Sequence, residues 1–515
     1  MYPGTFAATT PDKPAVVMSG SGETLTYGQL DDRSARLARV LHDRGLRRGD
    51  VIAMLVDNSP EAMVVYWAGL RSGLYVTAIN HHLTAAEVAY IVDDSDAKVL
   101  ITAATLGVVA EAVVADTPQV EHRLAFGGTV EGHESYEDAL SGAGERLAEQ
   151  PRGTDMLYSS GTTGRPKGIK APLLPIQVDE PGDPVYGLLG SAFAMGTDTV
   201  YLSAAPIYHA APLRWCGVVQ ANGGTVVMME RFEPEAALAA IEQHGVTLLQ
   251  MVPTMFVRML QLPDDVRARY DTSSLRMAVH AAAPCPPDVK QAMIEWWGPK
   301  LVEYYSSTEA NGLTLISSQE WLTKRGSVGQ SKLGVPHVCD EDGAELPAGE
   351  IGTIWFERDQ LPFRYHKDDA KTAEATHPEH PLWTAIGDLG YLDEDGYLFL
   401  TDRKSFMIIS GGVNIYPQEV ENVLTLHPAL RDVAVIGVPH PEMGQEVKAV
   451  VTLREGFSPS AELEAAIIGH VRDRIATFKA PRSVDFVDEL PRTPTGKLVK
   501  RRLEERYAHA QEASA

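Results

Sequence analysis

Helix-like and strand-like segments alternate between residues 25 and 125, and this alternation constrains the fold more than any other feature of the chain. Residues 30–41 carry apolar side chains at helical spacing, and residues 60–70 have the composition of a second helix. The runs 50–56 (DVIAMLV) and 97–102 (AKVLIT) are apolar and of strand length. Helices that alternate with buried strands are typical of α/β folds with largely parallel sheets. The alternation continues with helical residues 235–244 and the strand 248–251, so we predict the α/β class.

The pattern changes after residue 385. Residues 387–400 (GDLGYLDEDGYLFL) predict two short strands around an Asp-Gly turn. Beyond them we expect helices at 416–426 and 461–475 and strands at 433–438 and 446–453, which together form a compact α+β unit. We place the boundary near Asp402, with an N-terminal domain at 1–402 and a C-terminal domain at 403–515.

Charge and composition exclude several classes of protein. The 515 residues include 45 Lys and Arg against 69 Asp and Glu, so the formal charge is 45 − 69 = −24. Such a surface repels nucleic acid phosphates and anionic lipid, which argues against a nucleic-acid-binding protein. Hydrophobic residues make up 44% of the chain, which is ordinary for a globular protein of several packed units.

The cysteines and the N-terminus indicate a cytoplasmic location. Cys216, Cys285 and Cys339 are widely spaced and odd in number, which favours inert thiols in a reducing compartment over a disulfide framework. No apolar run reaches the roughly 20 residues that a membrane helix needs. Residues 1–14 lack the basic and apolar regions of a signal peptide, so we expect none.

Residues 158–170 (YSSGTTGRPKGIK) predict a loop that binds phosphate. Three glycines and four hydroxyl residues precede or flank Lys167 within this segment. Glycines let backbone N–H groups turn towards an anion, and hydroxyls and a lysine add further donors. The spacing does not match the Walker loop, and the alternative is a mobile surface turn rich in glycine and serine. The candidate binding residues are Ser159, Ser160, Gly161, Thr162, Thr163, Gly164 and Lys167.

This loop resembles the signature loop of the adenylate-forming superfamily, which includes acyl-CoA synthetases, adenylation domains of peptide synthetases and beetle luciferases. Segments similar to the other superfamily motifs follow in the same order: 206–209 (PIYH), 305–309 (YSSTE), 388–397, Asp402–Arg403, 410–419 (SGGVNIYPQE) and 491–497 (PRTPTGK). The resemblance covers nearly the whole chain. It implies a large N-terminal region of layered, mostly parallel sheets with helices and a smaller, mobile C-terminal α+β domain.

The resemblance also implies the chemistry. A carboxylate is activated when it attacks the α-phosphorus of ATP, which requires cations and oriented donors around two anions. By analogy with the family, Thr308 would donate to phosphate and Glu309 would hold Mg²⁺, an ion that prefers oxygen ligands. Read alone, this Thr-Glu pair would be a helix start. The remaining nucleotide residues implied by the family are Tyr305, Ala282 and Ala283 at adenine, Asp388 at ribose, and Arg403 at ribose or phosphate.

Three further positions complete the implied site. Lys497 would bridge the carboxylate and the α-phosphate, and His209 would position or gate the reacting carboxylate. The alternative for His209 is a core histidine with its hydrogen bonds satisfied. The C-terminal domain would then rotate to bring in the CoA loop, Ser410, Gly411 and Gly412. The chain departs from the family pattern at Ser405 and Phe406 in the hinge and at Ser306 in place of a glycine.

These residues predict an ATP- and Mg²⁺-dependent carboxylic acid–CoA ligase that forms acyl-CoA, AMP and pyrophosphate. Residues 208–213 (YHAAPL) contain no carboxylate to pair with a substrate ammonium, which disfavours amino acids. We expect no carrier domain after residue 500, so CoA is the leading acceptor, and apolar residues such as Trp215 favour a fatty or aromatic acid.

The sequence is also compatible with other functions. The main alternative is an acyl-AMP ligase that loads a carrier protein; a luciferase-like oxygenase and a non-catalytic nucleotide-binding protein are less well supported. We expect His377 and His380 to be surface residues and not metal ligands. A homodimer is left open.

Overall fold

The structure, a computed structural model, describes residues 2–159, 166–403, 406–411, 413–440, 442–492 and 498–512. The helices of the described residues, numbered in chain order, are α1 (Pro3–Ala7), α2 (Tyr27–Asp43), α3 (Pro60–Leu70), α4 (Ala85–Asp94), α5 (Gly107–Ala112), α6 (Tyr136–Ser141), α7 (Pro184–Ala192), α8 (Ala210–Ala221), α9 (Pro234–His244), α10 (Pro253–Leu260), α11 (Asp264–Arg267), α12 (Pro287–Trp297), α13 (Ser318–Thr323), α14 (Asp369–Glu374), α15 (Pro417–Leu424), α16 (Ala461–Arg472) and α17 (Lys500–Glu512).

The strands, numbered in the same way, are β1 (Pro14–Met18), β2 (Thr24–Thr26), β3 (Val51–Leu55), β4 (Tyr75–Ala78), β5 (Ala97–Ala103), β6 (His122–Phe126), β7 (Glu134–Ser135), β8 (Thr154–Ser159), β9 (Lys167–Lys170), β10 (Val200–Ser203), β11 (Thr225–Met228), β12 (Leu248–Met251), β13 (Met277–His280), β14 (Leu301–Ser306), β15 (Leu313–Ser317), β16 (Ser327–Leu333), β17 (Val335–Cys339), β18 (Gly352–Glu357), β19 (Arg364–Tyr365), β20 (Trp383–Thr384), β21 (Asp388–Leu392), β22 (Leu398–Arg403), β23 (Ile408–Ser410), β24 (Val413–Ile415), β25 (Leu430–His440), β26 (Gly444–Leu453) and β27 (Ser483–Phe486).

The chain divides into two compact units. The first unit contains Met1–Gln250, Asp264–Ala278 and Pro362–Ala373, and the second contains Met251–Pro263, Val279–Leu361 and Glu374–Ala515. The predicted α/β class is confirmed. The predicted domain boundary near Asp402 rests on the change in sequence pattern after residue 385, and it stays a prediction.

Local signals set where the first helices begin. The Thr26 side chain accepts from the N–H of Gln29, whose side chain bonds back to the Thr26 backbone, and this capping box starts α2. Thr84 and Glu87 form a second capping box, at the start of α4. The predicted helices 30–41 and 60–70 correspond to α2 and α3, and the predicted strands 50–56 and 97–102 correspond to β3 and β5.

Two sets of parallel strands build the first unit. In one sheet β3 lies between β4 and β5, parallel to both, and β4 pairs in parallel with β8. In the other, β10 pairs in parallel with β11 and β12, and β1 pairs in parallel with β11. All five residues of β3 are buried, as expected for a strand covered on both faces. The carboxyl ends of β3, β4 and β10 therefore open into loops that can carry functional side chains.

Antiparallel pairing dominates the second unit. β14, β15, β16, β22, β21, β18 and β17 pair with one another in that order, each antiparallel to the next. Residues 403–515 contain a smaller sheet in the order β24, β23, β26, β25, with β27 beside β26. Helices α15 and α16 contribute Val420, Leu424 and Ile467 to the core against this sheet. The four elements predicted for residues 416–475 correspond to α15, β25, β26 and α16.

Candidate functional site

In the second unit, Tyr305 and Asp388 come together. Tyr305 lies at the end of β14 and Asp388 begins β21, and the tyrosine hydroxyl donates to Oδ2 of Asp388 over 2.8 Å. Asp388 is 8% exposed. A carboxylate accepts several hydrogen bonds at once, so the bond from Tyr305 is compatible with further bonds from a ribose.

The backbone of Arg403 lies directly opposite Asp388. The two residues are Cα partners in the antiparallel pair of β21 and β22. Both residues that the family resemblance assigns to the ribose are therefore in register at one end of the same strand pair.

Thr308 and Glu309 lie in a tight turn between β14 and β15, not at a helix start. Ser307 Oγ donates to Asn311 Oδ1 over 2.9 Å across the turn. Ala310 has a φ of 52°, a left-handed conformation that is uncommon outside glycine. Glu309 is 9% exposed. The turn thus holds a nearly buried carboxylate, the type of group that binds Mg²⁺ when phosphates supply further oxygens.

Ser306, which stands where the family has a glycine, closes the same turn. Its Oγ donates to the carbonyl of Gly312 over 2.7 Å. A Cβ at Gly312 would lie 2.1 Å from the ring of Phe356, so only glycine fits there. The substitution at Ser306 therefore adds a hydrogen bond within the turn.

Ala282 and Ala283 follow β13. Ala282 is exposed and has a φ of 72°, while Ala283 is half-buried. A non-glycine residue in this conformation is strained, and such strain is concentrated at functional sites. Both side chains are small, and their contact with adenine stays a prediction.

A buried ion pair connects the elements beside this segment. Lys290 Nζ of α12 lies 2.6 Å from Oε2 of Glu303 on β14, and His280 Nε2 of β13 lies 3.8 Å from the same oxygen. Burial raises the pKa of Glu303, which Lys290 opposes, and burial lowers the pKa of His280. Sequence reasoning missed this network, because a lysine and a glutamate 13 residues apart look like surface charges.

In the first unit, β8 and β9 pair in antiparallel on either side of the segment predicted to bind phosphate. Ser159 and Lys167 are cross-strand partners at its end, and Ser160, Gly161, Thr162, Thr163 and Gly164 lie outside the described residues. Lys167 Nζ lies 3.2 Å from Asp368 Oδ2 and 5.7 Å from the centroid of the Tyr365 ring. These contacts thus hold the lysine at the start of β9.

His209 is the N-cap residue of α8 and is half-buried. Its ring lies 4.5 Å from that of Tyr208. Asn58, which follows β3, holds the preceding loop through a bond from the Ile207 N–H to its Oδ1 at 2.9 Å. His209 is therefore half-buried at the entry to a helix, and its role at the reacting carboxylate stays a prediction.

The CoA loop is described in part. Ser410 ends β23, and Gly411 has a φ of 57° with its N–H donating to the Met443 carbonyl over 2.9 Å. A Cβ on Gly411 would lie 2.4 Å from Met443 Cε. Gly412, Ser405 and Lys497 lie outside the described residues, and of Arg403 only the backbone is described.

Two expectations are corrected. His377 is not a surface residue: it is 3% exposed, and its Nε2 lies 3.1 Å from the carbonyl of Gly343. The Pro-rich loop around it folds inward because Nδ1 accepts from the N–H groups of Glu379 and His380. Trp215 is 1% exposed between Phe193 and Tyr201, so it belongs to the core and gives no support to an acyl pocket.

Within the described residues, no helix is long and apolar enough to cross a membrane. The same part of the chain holds no group of three or more His, Cys, Asp or Glu side chains arranged to bind a metal. Mg²⁺ that is held mainly by ATP phosphates needs only one or two protein carboxylates, so Glu309 fits this role.

Comparisons with known proteins identify the family of the chain. Residues 5–366 match the AMP-binding enzyme family, and residues 419–497 match the AMP-binding enzyme C-terminal domain. The chain is 33% identical to a feruloyl-CoA synthase of Amycolatopsis sp, with 96% of each chain covered. It is 31% identical to the long-chain-fatty-acid–CoA ligase FadD13 of Mycobacterium tuberculosis, over 98% of this chain and 97% of the relative.

A solved structure leads to the same assignment. ATP-bound MatB from Rhodopseudomonas palustris is 30% identical, covers 98% of this chain and 99% of its own, and has a TM-score of 0.81. The order of motifs, the fold and the relatives agree along nearly the whole length. The chain therefore belongs to the AMP-binding enzyme family, as an adenylate-forming acyl-CoA synthetase that uses ATP, Mg²⁺ and CoA.

Proposed function

We propose that the chain ligates a fatty or aromatic carboxylic acid to CoA through an acyl-adenylate. A carboxylate oxygen attacks the α-phosphorus of ATP and pyrophosphate leaves. The CoA sulfur then attacks the acyl carbonyl, its proton is released, and AMP leaves with the electrons of the broken C–O bond. The observation that carries this proposal is the Tyr305–Asp388 hydrogen bond with Arg403 in register opposite Asp388.

The nucleotide is held by residues of the second unit in this proposal. Asp388 accepts hydrogen bonds from the ribose hydroxyls, and the Tyr305 hydroxyl fixes the orientation of that carboxylate. Ala282 and Ala283 form the wall against adenine. Arg403 contributes its positive charge at the ribose or phosphates.

The phosphates and the reacting carboxylate need cations and donors. Thr308 donates to a phosphate oxygen, and Glu309 would hold Mg²⁺, which neutralises phosphate charge when bound. The loop residues Ser159, Ser160, Gly161, Thr162, Thr163 and Gly164 supply further donors, with Lys167 at the base. Lys497 stabilises the charge that develops between the carboxylate and the α-phosphate, and His209 positions the acid.

The second half-reaction uses the C-terminal domain, 403–515. Rotation near Arg403 would exchange Lys497 for Ser410, Gly411 and Gly412, and the glycines would allow the pantetheine arm to run along bare backbone. Support comes from Gly411, whose backbone has a left-handed φ of 57°, a conformation that glycine adopts without strain.

We also propose a cytoplasmic location. Cys216, Cys285 and Cys339 are all free thiols, and burial raises the pKa of Cys216 to about 12. Unreactive free thiols are typical of proteins from reducing compartments. A homodimer stays a prediction that sedimentation would test.

The test is AMP release from ATP and Mg²⁺ with short-chain, medium-chain, long-chain and aromatic acids, each with and without CoA. The thioester is identified by mass spectrometry. We expect CoA-dependent turnover with one group of acids. Adenylate without thioester would point instead to a carrier-protein acceptor, and no reaction with any acid would contradict the proposal.

A further inference from the structure

Four polar aromatic side chains of the first unit, His81, His82, Tyr208 and His209, form what we call the imidazole–phenol cluster. The rings of His81 and His82 lie 4.3 Å apart, and Tyr208 meets His81 edge-on at 5.2 Å. Tyr208 lies 6.4 Å from His82 and 4.5 Å from His209. The two histidines at 81 and 82 follow β4, and the other two residues follow β10. Loops at the carboxyl ends of parallel strands are where α/β proteins bind ligands.

The backbone around the cluster is firmly held. The Asn58 amide donates to the carbonyls of Ala205, over 3.2 Å, and Met229, over 2.8 Å, while its oxygen accepts from the N–H of Ile207. His81 Nδ1 lies 3.2 Å from the carbonyl of Val56, so Nδ1 carries the proton and, in the neutral ring, Nε2 is an acceptor. Rings fixed in this way can select a ligand by shape and by hydrogen bonding.

Tyr208 has a buried hydroxyl that requires a partner. The residue is 6% exposed, and its Oη makes no hydrogen bond to any residue that the structure describes. A buried polar group without a partner costs about 1–3 kcal/mol, so native proteins rarely keep one for packing alone. Burial raises the pKa of Tyr208, which keeps the phenol protonated and able to donate. A bound ligand with an acceptor atom would satisfy it.

The charge of the cluster narrows the chemistry of that ligand. Desolvation and the neighbouring His81 lower the pKa of His82, which favours its neutral form near pH 7. A neutral His82 gives little attraction to a second carboxylate on the acid. Beyond the reacting carboxylate, which the proposed function assigns to His209 and Lys497, a saturated acyl chain offers no acceptor to the Tyr208 hydroxyl. An aromatic ring with an oxygen substituent offers both a face for the surrounding rings and an acceptor for the hydroxyl.

We propose that the imidazole–phenol cluster recognises an oxygen substituent on the ring of an aromatic acid, with Tyr208 Oη as the donor. The substrate class is then hydroxylated aromatic acids. This proposal rests on the proposed function, because it names the acid that the same site activates. His81 and His82 contact the ring, and Asn58 acts as a positioning residue for the loop that carries Tyr208.

The experiment compares acids that differ only in one ring hydroxyl. Wild-type protein and Tyr208→Phe are assayed with 4-hydroxycinnamate against cinnamate and with 4-hydroxybenzoate against benzoate, with octanoate as an aliphatic acid. In at least one pair we expect the wild type to prefer the hydroxylated acid about tenfold or more in kcat/KM, since an unmade buried hydrogen bond is costly. The preference should fall to near one in Tyr208→Phe. The control Tyr270→Phe removes an exposed hydroxyl bound to Glu235 and should keep the wild-type preference.

A binding measurement separates recognition from turnover. Sulfamoyl analogues of the hydroxycinnamoyl and cinnamoyl adenylates are added to the full chain, and the rise in the unfolding midpoint is recorded. The hydroxycinnamoyl analogue should raise the unfolding midpoint of the wild type more than the cinnamoyl analogue does, and Tyr208→Phe should remove the difference.

Each outcome supports or overturns the proposal. Preference for octanoate, or equal use of both acids in each pair, overturns it while the ligase function stands. No adenylate from any acid contradicts the proposed function itself, and the substrate assignment with it. If Tyr208→Phe does not fold, the wild-type protein alone still tests the proposal. A kcat/KM ratio near one in the acid pairs, together with equal stabilisation by the two analogues, overturns it.

Discussion

The Tyr305 hydroxyl donates a 2.8 Å hydrogen bond to Asp388 Oδ2, although 83 residues separate the two in sequence. The carboxylate proposed to bind the ribose is thus oriented by Tyr305, a residue that the family resemblance implies at adenine. A change at either residue is expected to affect recognition of the nucleotide through the other.

Asp388→Ala should weaken discrimination at the ribose. We expect wild type to prefer ATP over 2′-deoxyATP in kcat/KM and the variant to lose most of that preference, because the acceptor for the sugar hydroxyls is gone. Tyr305→Phe should raise the KM for ATP by up to about tenfold, since it removes one hydrogen bond to the carboxylate. The exposed Asp342→Ala is the control, and an unchanged nucleotide preference in Asp388→Ala would contradict the ribose assignment.

Lys497→Ala should separate the two half-reactions. We expect adenylate formation to fall about 10²-fold or more, because a charge-stabilising contact of the transition state is lost. Conversion of a preformed acyl-adenylate and CoA to thioester should be retained. Pyrophosphate exchange and thioester formation are measured separately, with the exposed Lys332→Ala as the control. Equal loss of both steps would reject the role of Lys497.

Gly411→Ala should impair thioester formation more than adenylate formation. The new Cβ would strain a backbone with a φ of 57° and would push the flexible end of Met443, whose Cε lies 2.4 Å away, so we expect it to disturb the proposed CoA loop. Gly456→Ala is a matched control, because Gly456 also has a positive φ, 90°, but has no atom within 4 Å of the added Cβ. We expect CoA-dependent turnover to fall at least about tenfold only in Gly411→Ala. The double variant Gly411→Ala with Met443→Ala should recover part of the lost turnover. Equal effects of Gly411→Ala and Gly456→Ala would argue against a role of Gly411 in CoA binding.

His280 should make stability depend on pH. Both ring nitrogens are buried without a hydrogen bond to the described residues, and burial lowers the pKa of His280 well below its ordinary value. The unfolded chain therefore binds a proton first as the pH falls below about 6.5, and the folded state loses up to about 1.4 kcal/mol per pH unit from this group. Above that pH its contribution is complete.

The measurement for this prediction is urea unfolding between pH 5 and 8. His280→Leu should flatten the decrease in the free energy of unfolding on the acid side, while the exposed His380→Gln should keep the wild-type slope. A decrease of the same steepness in His280→Leu would show that other groups cause the dependence.

Local sequence patterns predicted much of the fold. The apolar runs of β3 and β12, the helical spacing of α2, and the elements from 416 to 475 depend on interactions between residues close in sequence. The family motifs depend on residue type and order. For these reasons a single sequence indicated the α/β class and an acyl-CoA synthetase.

Tertiary structure decided the contacts between distant residues. Which strands pair, and in which register, determines that Tyr305 reaches Asp388, that Lys290 is buried against Glu303, and that Tyr208 lies against His81. His377, expected at the surface, is buried because backbone N–H groups from its own loop fold around its ring. Hydrogen bonds and burial act over a few ångströms in space, and local sequence spacing carries little information about which distant segments share that space.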